Sequence, residues 1–474
     1  MDTLKSGSLS EAANQDEGKA GFWYVYLVSL VAAIGGFLFG FDLSIISGAI
    51  IFLEDVFKLD ANMKGFAVSS AVLGCIMGPA IGLWLADSMG RRPTLIIASV
   101  FFMVSAIGSA LAIGVYDFAF WRAVGGIGVG LAMMVSPMYI AEISPPKLRG
   151  ILITVNQLSV VIGINLSVIV SYFLSFGGHW RWMFASEAIP IFLLIVGLCF
   201  VPRSPRWLAA KNRKDEALSV LTKINGKKQA EKVLSEINAE LLEETGSFRE
   251  LLLPGVRMAV IIGSIIMIFS QINGVNMMLL YAPSILMDAG IGSGSDAIYG
   301  TIFINLLILV CTIITFWVVK HFGRRKILIV GVTGMAIGHI ILSLSFIYEL
   351  KTIYKLLALF IGTGSFTLSL APLSWVIVSE IFPNRVRAKG MATVCFFLFL
   401  SSYICVWVFP VLLGAFETMF GNRGGAYFIF AGICFACVIF VYKMMPETKD
   451  LTLEDIGAFW LGHNADKEKT KQLR

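Results

Sequence analysis

Twelve long apolar runs divide this sequence, and they constrain its fold more than any other feature. A helix needs about 20 mostly apolar residues to cross a bilayer, and lipid cannot satisfy an unpaired backbone, so each run must be a helix. The chain is therefore predicted to be an all-α membrane protein with twelve transmembrane helices. The predicted spans are 22–52, 65–86, 93–115, 118–140, 151–175, 182–201, 256–287, 297–319, 327–348, 353–379, 391–414 and 425–444.

The composition is typical of an integral membrane protein. Of its 474 residues, 57% are hydrophobic and 14% are charged, against about 25% charged in an average soluble domain. The seven cysteines lie inside apolar runs, and their spacing matches no disulfide framework or metal site. We therefore expect no metal and no cofactor. The polar, acid-containing start of the chain is not a signal peptide, so the first apolar run is predicted to remain as a helix.

Basic residues concentrate on one side of the predicted membrane. The loops after the second, fourth, eighth and tenth spans carry 90–93 (GRRP), 145–150 (PPKLRG), 323–326 (GRRK) and 384–390 (NRVRAKG). Loops with this excess of Lys and Arg lie on the cytoplasmic side, which places both termini in the cytoplasm. The net charge of +6 is thus explained by topology, and no nucleic-acid partner is expected.

The same pattern divides the chain into five segments. The stretch 211–244 has helical periodicity and mixed charge, which predicts short amphipathic helices on the cytoplasmic surface. The predicted segments are a cytoplasmic N-terminal segment (1–21), a six-helix half (22–201), linker helices (202–255), a second six-helix half (256–444) and a cytoplasmic tail (445–474).

The two halves repeat each other. The GRR motifs that start at Gly90 and Gly323 are 233 residues apart, and Glu142 and Glu380 in two similar acidic–basic motifs are 238 apart. Signals in the same order at a nearly constant offset indicate a duplicated six-helix unit. Two parallel repeats, with a substrate site near the membrane midplane between them, are one plan of secondary transporters.

A set of motifs in family order resembles the sugar porter family of the major facilitator superfamily, most of all its bacterial proton–xylose symporters. The motifs, spread over 36–449, are FGFDLSIISG, GRRP, RAVGGIGVG…PMYIAEI, NQLSVVIG, PRSPRWL, QINGVN, GRRK, PLSWVIVSEIFP and PETK. The resemblance implies the major facilitator fold, a monosaccharide substrate, proton coupling and alternating access. We expect a monomer in a bacterial cell membrane, and not an enzyme.

Asp42 is the residue that most needs an explanation, because it lies inside the first apolar run. An ionised acid deep in a bilayer costs roughly 2.5–3.5 kcal/mol on insertion scales, and an arginine neighbour reduces that cost. Arg122 in the fourth span is the candidate partner, since both residues fall in the outer half of the membrane. The resemblance implies that this pair couples proton movement to transport. A structural ion pair that never titrates is the alternative, and Glu187 matches an acid that some symporters carry.

Amide side chains suit a sugar because they both donate and accept hydrogen bonds, and an aromatic ring covers the apolar side of the sugar. Gln271 and Asn276 are five residues apart, on different faces of an ideal helix, so both can point inward only if the helix breaks near Gly274. The substrate-binding positions implied by the resemblance are Phe39, Gln157, Gln271, Asn276, Asn305 and Trp375. Helix–helix hydrogen bonding is the alternative role of each amide.

Several positions depart from the family pattern. Ser270 and Phe399 stand where many relatives carry a glutamine and a tryptophan, and Ser402 where some carry an amide. Arg203 stands where Glu is usual and Lys320 where Asp is usual, so both reverse a charge. These departures leave the sugar open among xylose, glucose, galactose, arabinose and an inositol, and predict an altered balance between conformations.

The resemblance also implies a cytoplasmic gate built from charged loop residues. Its predicted members are Asp87, Arg91, Arg92, Glu142, Arg149, Arg324, Arg325, Glu380 and Arg387. Charge-assisted hydrogen bonds among them would latch the inner face, although cations in these loops also fix the topology. The sequence thus predicts a proton-coupled sugar symporter. A facilitative sugar uniporter and a membrane sugar sensor are the alternatives.

Overall fold

A computed structural model describes residues 2–242, 248–445 and 447, with most side chains from residue 23 onward. In this part of the chain every regular element is a helix, and twelve stretches are long and apolar enough to cross a membrane. The prediction of twelve spanning helices is confirmed. The predicted tail 445–474 lies outside the described residues except for Met445 and Glu447.

The first half contains seven helices, because the sixth span is split into two. They are α1 (Asp2–Phe57), α2 (Ala61–Ser88), α3 (Arg91–Leu111), α4 (Val115–Ile143), α5 (Pro146–Ser175), α6 (Trp180–Ala185) and α7 (Ala188–Phe200). The part of α1 that is apolar enough to cross a membrane is Trp23–Phe57, five residues longer than predicted at its C-terminal end.

Three short helices, α8 (Pro205–Ala210), α9 (Lys214–Asn225) and α10 (Lys227–Leu242), follow the first half, and a 3₁₀ turn covers Phe248–Leu252. In the second half, the seventh and tenth spans are interrupted. Its helices are α11 (Pro254–Ile272), α12 (Val275–Leu280), α13 (Ala282–Asp288), α14 (Gly294–His321), α15 (Arg324–Ile347), α16 (Thr352–Leu368), α17 (Leu370–Ile381), α18 (Arg387–Phe420) and α19 (Gly424–Met444).

Prolines explain two of the interruptions. Proline lacks an N–H group and its ring clashes with the carbonyl four residues earlier. Pro190 stands four residues after Ser186, where α6 gives way to α7. Pro372 stands four residues after Leu368, the last residue of α16. The chain breaks at Ser369 and not at Pro372 itself, because the proline disturbs the preceding turn.

Glycines allow α2 and α4 to pack backbone to backbone. A Cβ atom on Gly126 would lie 1.9 Å from the carbonyl oxygen of Ala71, and one on Gly130 would lie 2.6 Å from Cα of Gly78. The small residues that follow Arg122 therefore permit the close approach of these two helices. This contact brings α4, and Arg122 with it, into the interior of the first half.

The bundle has two ends with different roles. We call the end that carries the 88–91 and 200–205 loops the linker end, and the other the opposite end. Three hydrogen bonds join the halves towards the opposite end: Ser47 Oγ donates to the Leu279 carbonyl at 3.2 Å, Ser175 and Ser295 hydroxyls are 2.8 Å apart, and Trp407 Nε1 donates to Asn62 Oδ1 at 2.9 Å. A cluster of buried apolar residues from both halves surrounds this closure.

Candidate functional site

Asp42 and Arg122 meet in the interior of the first half, as the sequence predicted. Arg122 Nη1 donates to Asp42 Oδ1 at 2.5 Å, and Nη2 donates to the Asp42 backbone carbonyl at 2.8 Å. Asp42 is fully buried and Arg122 is 1% exposed. The ring of Phe184 lies 5.4 Å from the guanidinium carbon of Arg122 and covers it from the side of α6.

Glu187 is a third charged residue in this cluster. It is fully buried at the break between α6 and α7, within electrostatic range of Asp42 and Arg122. Both of its carboxylate oxygens, and Oδ2 of Asp42, are buried without a hydrogen-bond donor in the described part of the chain. The sequence analysis noted Glu187 by resemblance only. The signal that would have strengthened it is Pro190, which opens the helix beside the acid.

The cluster is unbalanced when both acids are ionised. It then holds two carboxylates and one guanidinium, and an uncompensated buried charge is costly. One bound proton would make the cluster neutral and would give a donor to one of the carboxylate oxygens that has none. The arrangement is therefore chemically able to hold and release a single proton.

Gln271 and Asn276 form a hydrogen-bonded amide pair across a helix break. Asn276 Nδ2 donates to Gln271 Oε1 at 2.8 Å. Gly274, with φ of 90°, separates α11 from α12 in a left-handed conformation that suits glycine. The prediction of a break near Gly274 is confirmed, and the break is what brings the two amides together.

A buried histidine supports this break. His339 on α15 is fully buried, and its Nε2 lies 2.7 Å from the backbone carbonyl of Asn273. Because that carbonyl accepts, Nε2 carries the proton. The Asn273 side chain also ties the break together, by accepting a hydrogen bond from the Val275 backbone at 2.9 Å. Sequence reasoning missed both residues, since neither is conspicuous in an apolar run.

The other predicted sugar-binding residues lie on neighbouring helices. Gln157 is exposed on α5, and Asn305 is buried on α14, which packs against α5. Phe39 and Trp375 are partly buried, and both pack against a second cluster of buried apolar residues, separate from the one at the opposite end. The structure therefore joins Gln271 to Asn276 directly. The helices that carry Phe39 and Trp375, α1 and α17, contact this interrupted span, whereas those that carry Gln157 and Asn305 contact each other.

At the linker end of the first half, the predicted gate residues bind each other. Arg91 Nη2 donates to Glu142 Oε1 at 2.7 Å, and Nη1 lies 3.6 Å from Asp87 Oδ1. Glu142 also accepts from the Ser204 hydroxyl at 2.6 Å. Arg92 donates to the Cys199 carbonyl at 3.1 Å, whereas Arg149 is exposed.

The second half repeats this arrangement. Arg324 Nη2 lies 3.3 Å from Glu380 Oε1, and the Arg325 guanidinium donates to the Tyr442 carbonyl. Arg387 donates to the Phe382 carbonyl at 3.4 Å, and burial lowers the pKa of its guanidinium. The backbone amides of Arg324 and Arg325 donate to Glu447 of the PETK motif at 2.9 and 3.2 Å. Sequence reasoning used PETK only as one of the motifs that carry the family resemblance.

These latch contacts hold helices of the same half together. In both halves an arginine at the start of one helix reaches a glutamate at the end of another, as the repeat predicts.

Residues 28–460 match the family described as "Sugar (and other) transporter".

This chain belongs to the sugar transporter family. It is 36% identical over 484 aligned residues to the D-xylose-proton symporter of Escherichia coli (strain K12). The alignment covers 95% of this chain and 98% of that relative. It is 35% identical over 448 residues to the arabinose-proton symporter of Bacillus subtilis (strain 168), with 92% and 95% covered.

The fold also matches a solved transporter. The inward open conformation of the xylose transporter XylE from E. coli superimposes with a TM-score of 0.81 at 35% identity, covering 92% of this chain and all of the other. The prediction of a major facilitator fold is confirmed, and so is the prediction that the chain is a multi-pass membrane transporter and not an enzyme.

Proposed function

We propose that this protein is a proton-coupled symporter of a monosaccharide that works by alternating access. The observation that carries the proposal is the buried cluster of Asp42, Arg122 and Glu187, in which two acids share one arginine. The names of the relatives from E. coli and B. subtilis support a pentose as substrate. We take the cell membrane of a bacterium as its location and a monomer as the working unit.

Charge balance links the proton to the conformational cycle. With a proton on Asp42, the ion pair to Arg122 weakens, and Arg122 can compensate Glu187 instead. Because Arg122 lies on α4 and Asp42 on α1, this exchange changes how two helices of the first half are held. Protonation can bias the cycle only if the two conformations bind the proton with different affinity, and a cluster buried in one of them and hydrated in the other meets that condition.

The amide pair at the seventh-span break supplies the sugar contacts. Gln271 and Asn276 satisfy each other when no ligand is bound, at 2.8 Å. A sugar hydroxyl that both donates and accepts can insert between the two amides and replace this bond without leaving an unpaired group. Trp375 and Phe39 would cover the apolar side of the ring, with Gln157 and Asn305 as further hydrogen-bonding groups.

The conformation fits one stage of this cycle. The halves are hydrogen-bonded at the opposite end, and the latch residues at the linker end bind within their own halves. If the basic linker end faces the cytoplasm, as the positive-inside rule indicates, the structure is an inward-facing state. The predicted gate would then re-form between the halves in the outward-facing state.

Sugar-driven proton movement tests the proposal. Purified protein in proteoliposomes without a membrane potential is given a pentose or a hexose outside, and the external pH is recorded. A symporter makes the external medium more alkaline as sugar enters, and a facilitative uniporter moves the sugar with no pH change. Uptake with a constant external pH would show that the acids are structural and would leave uniport as the function.

A further inference from the structure

A second site lies at the linker end, away from the buried cluster. A cavity of about 300 Å³ opens between the first half and the short helices α8 and α9, at the lower limit of small-molecule pockets, which span about 300–1,000 Å³. We call it the linker cavity. It is lined by Arg92, Arg203, Leu208, Glu216, Ser219 and Val220, together with Pro202.

Two guanidinium groups in the linker cavity have no carboxylate partner in the part of the chain that the structure describes. Arg92, in the first turn of α3, donates to the Cys199 carbonyl at 3.1 Å. Arg203, before α8, lies over the ring of Trp207, with its guanidinium carbon 5.3 Å from the ring centroid. Both arginines are partly buried, and their like charges line the same open cavity.

The acids around the cavity are already occupied. Glu216, which lines the wall, accepts two hydrogen bonds from Arg213, each at 2.7 Å. Asp87 and Glu142, on the neighbouring ends of α2 and α4, pair with Arg91. Counted with Arg91 and Arg213, the arginines around the linker cavity outnumber these three acids, so the cavity carries an excess of positive charge.

The walls of the cavity are held in place by partly buried hydrogen bonds. Trp207 Nε1 donates to the Asp87 carbonyl at 3.1 Å, Tyr139 donates to the Pro202 carbonyl at 2.5 Å, and the Ser204 hydroxyl donates to Glu142 at 2.6 Å. These bonds fix the chain on both sides of Arg203. An anion would thus find the arginine positioned before it binds, which reduces the entropy cost of binding.

We propose that the linker cavity binds a phosphate group between Arg92 and Arg203. Guanidinium groups bind phosphate oxygens through paired hydrogen bonds, and two of them compensate a dianion. The phosphate belongs either to a soluble phosphomonoester or to a phospholipid headgroup, because Phe200, two residues before the cavity residue Pro202, presents an exposed apolar side chain that suits a lipid surface. Bound there, the anion bridges the start of α3 to the linker helices.

Thermal unfolding of the full-length chain in detergent tests the site, with inorganic phosphate titrated against chloride at equal ionic strength. We expect the unfolding midpoint to rise and to saturate with phosphate. Arg92→Gln and Arg203→Gln should each weaken the apparent affinity about tenfold or more, because each removes charge-assisted hydrogen bonds. Lys211→Gln, which removes an exposed charge near the same helices, is the control and should leave the response unchanged.

A charge-reversed variant separates binding from folding. Arg203→Glu supplies a fixed carboxylate beside Arg92, so this variant should unfold in chloride at about the midpoint that the unmodified protein reaches in phosphate, and it should not respond further. Equal responses to phosphate in the unmodified protein and Arg203→Gln would overturn the proposal for soluble phosphate.

The lipid source is examined in nanodiscs of phosphatidylglycerol or phosphatidylcholine, with retained lipid counted by native mass spectrometry after release into detergent. Retention of phosphatidylglycerol that is lost in Arg92→Gln and Arg203→Gln, but not in Lys211→Gln, assigns the site to a headgroup. If neither phosphate nor phosphatidylglycerol responds to the arginine substitutions, the linker cavity is not an anion site.

Discussion

At the scale of single residues, Asp42 shows why a charge is tolerated inside an apolar helix. It is fully buried, yet one carboxylate oxygen accepts a hydrogen bond from Arg122 at 2.5 Å, while the other has no donor within the described part of the chain. The hydrogen bond to the first oxygen lowers the cost of burying the acid in the bundle. The second oxygen has no donor, so a proton shared with Glu187 could be held there.

Replacement of Asp42 by asparagine should separate accumulation from exchange. Asp42→Asn keeps the size of the side chain and an acceptor for Arg122 but cannot release a proton. We expect the internal and external sugar concentrations to become equal under a proton gradient, while counterflow of labelled sugar continues. Asp55→Asn, at an exposed position near the end of the same helix, is the control, and it should still concentrate sugar. Uphill accumulation by Asp42→Asn would contradict the proposed coupling.

Removal of Arg122 should destabilise the fold, because it leaves two buried acids without a cation. Breaking one side of a buried ion pair costs about 3–5 kcal/mol. Arg122→Ala should therefore lower the free energy of unfolding by about that amount, measured in detergent at neutral pH. The double variant with Asp42→Asn should recover part of the loss, since one of the two stranded charges is gone. Equal stability of the single and double variants would show that the pair is not coupled.

At the scale of elements, the interrupted helices place the polar groups. The break at Gly274 joins the two amides of the seventh span, and the break at Ser186 puts Glu187 beside Asp42 and Arg122. An intact helix at either place would turn one of these side chains away. His339 binds the backbone carbonyl of Asn273 at the junction between the linker-side segment α11 and the opposite-side segment α12.

Gly274→Ala should disturb this break strongly. A Cβ atom there would lie 2.6 Å from Cγ of Phe430 and 2.7 Å from Cε1 of His339, and the backbone φ is +90°. Backbone strain of about 1–3 kcal/mol and overpacking of about 1–3 kcal/mol should together lower stability and weaken sugar binding. Thermal unfolding and sugar-induced stabilisation in detergent measure the two effects.

Two other glycines serve as controls for this change. Gly421 also has a positive φ, of +70°, but a Cβ atom there would meet nothing within 4 Å. Gly432 has open space and ordinary helical geometry. Gly421→Ala should show the effect of backbone strain alone. Gly432→Ala should show neither backbone strain nor overpacking. If Gly274→Ala is no worse than Gly421→Ala, the contacts with Phe430 and His339 do not hold the break.

At the scale of the whole molecule, the two halves meet at one end and the latch residues at the other end bind within their own halves. This is the arrangement that alternating access requires of one of its end states. The direct contact between the Ser175 and Ser295 hydroxyls, 2.8 Å apart, joins α5 of one half to α14 of the other. It gives a position at which the closed end can be locked.

A disulfide at this position should stop transport. The double variant Ser175→Cys and Ser295→Cys, once oxidised, would hold the opposite end closed, and reduction should restore sugar counterflow. The single variant Ser175→Cys is the control and should respond to neither treatment. Full counterflow in a completely cross-linked sample would mean that this end does not need to open. Six native cysteines are buried or partly buried, and Cys199 is exposed. Replacing Cys199 prevents it from forming a disulfide with either introduced cysteine.

Much of this protein could be predicted from local sequence. The twelve helices follow from the length of the apolar runs, and the duplicated plan follows from motifs that recur at a nearly constant offset. The pairing of Asp42 with Arg122 follows from the cost of an isolated charge in lipid. The break at Gly274 follows from the positions of Gln271 and Asn276 on one helix once the family resemblance assigns both to the substrate site. Each of these inferences uses residues whose physical demands can be stated without knowing their neighbours.

Tertiary structure alone decided what depends on distant neighbours. The position of Glu187, the third member of the buried cluster, depends on how α6 and α7 pack against α1, and on the contact of Phe184 with Arg122 of α4. The support of the seventh-span break by His339, and the shared cavity of Arg92 and Arg203, join residues that are far apart along the chain. Which end of the bundle is closed is also a property of contacts between halves. The sequence determined which groups cannot stay unpaired in lipid, because that cost is local. The fold decided which partner each group meets, because pairing is a matter of three-dimensional distance.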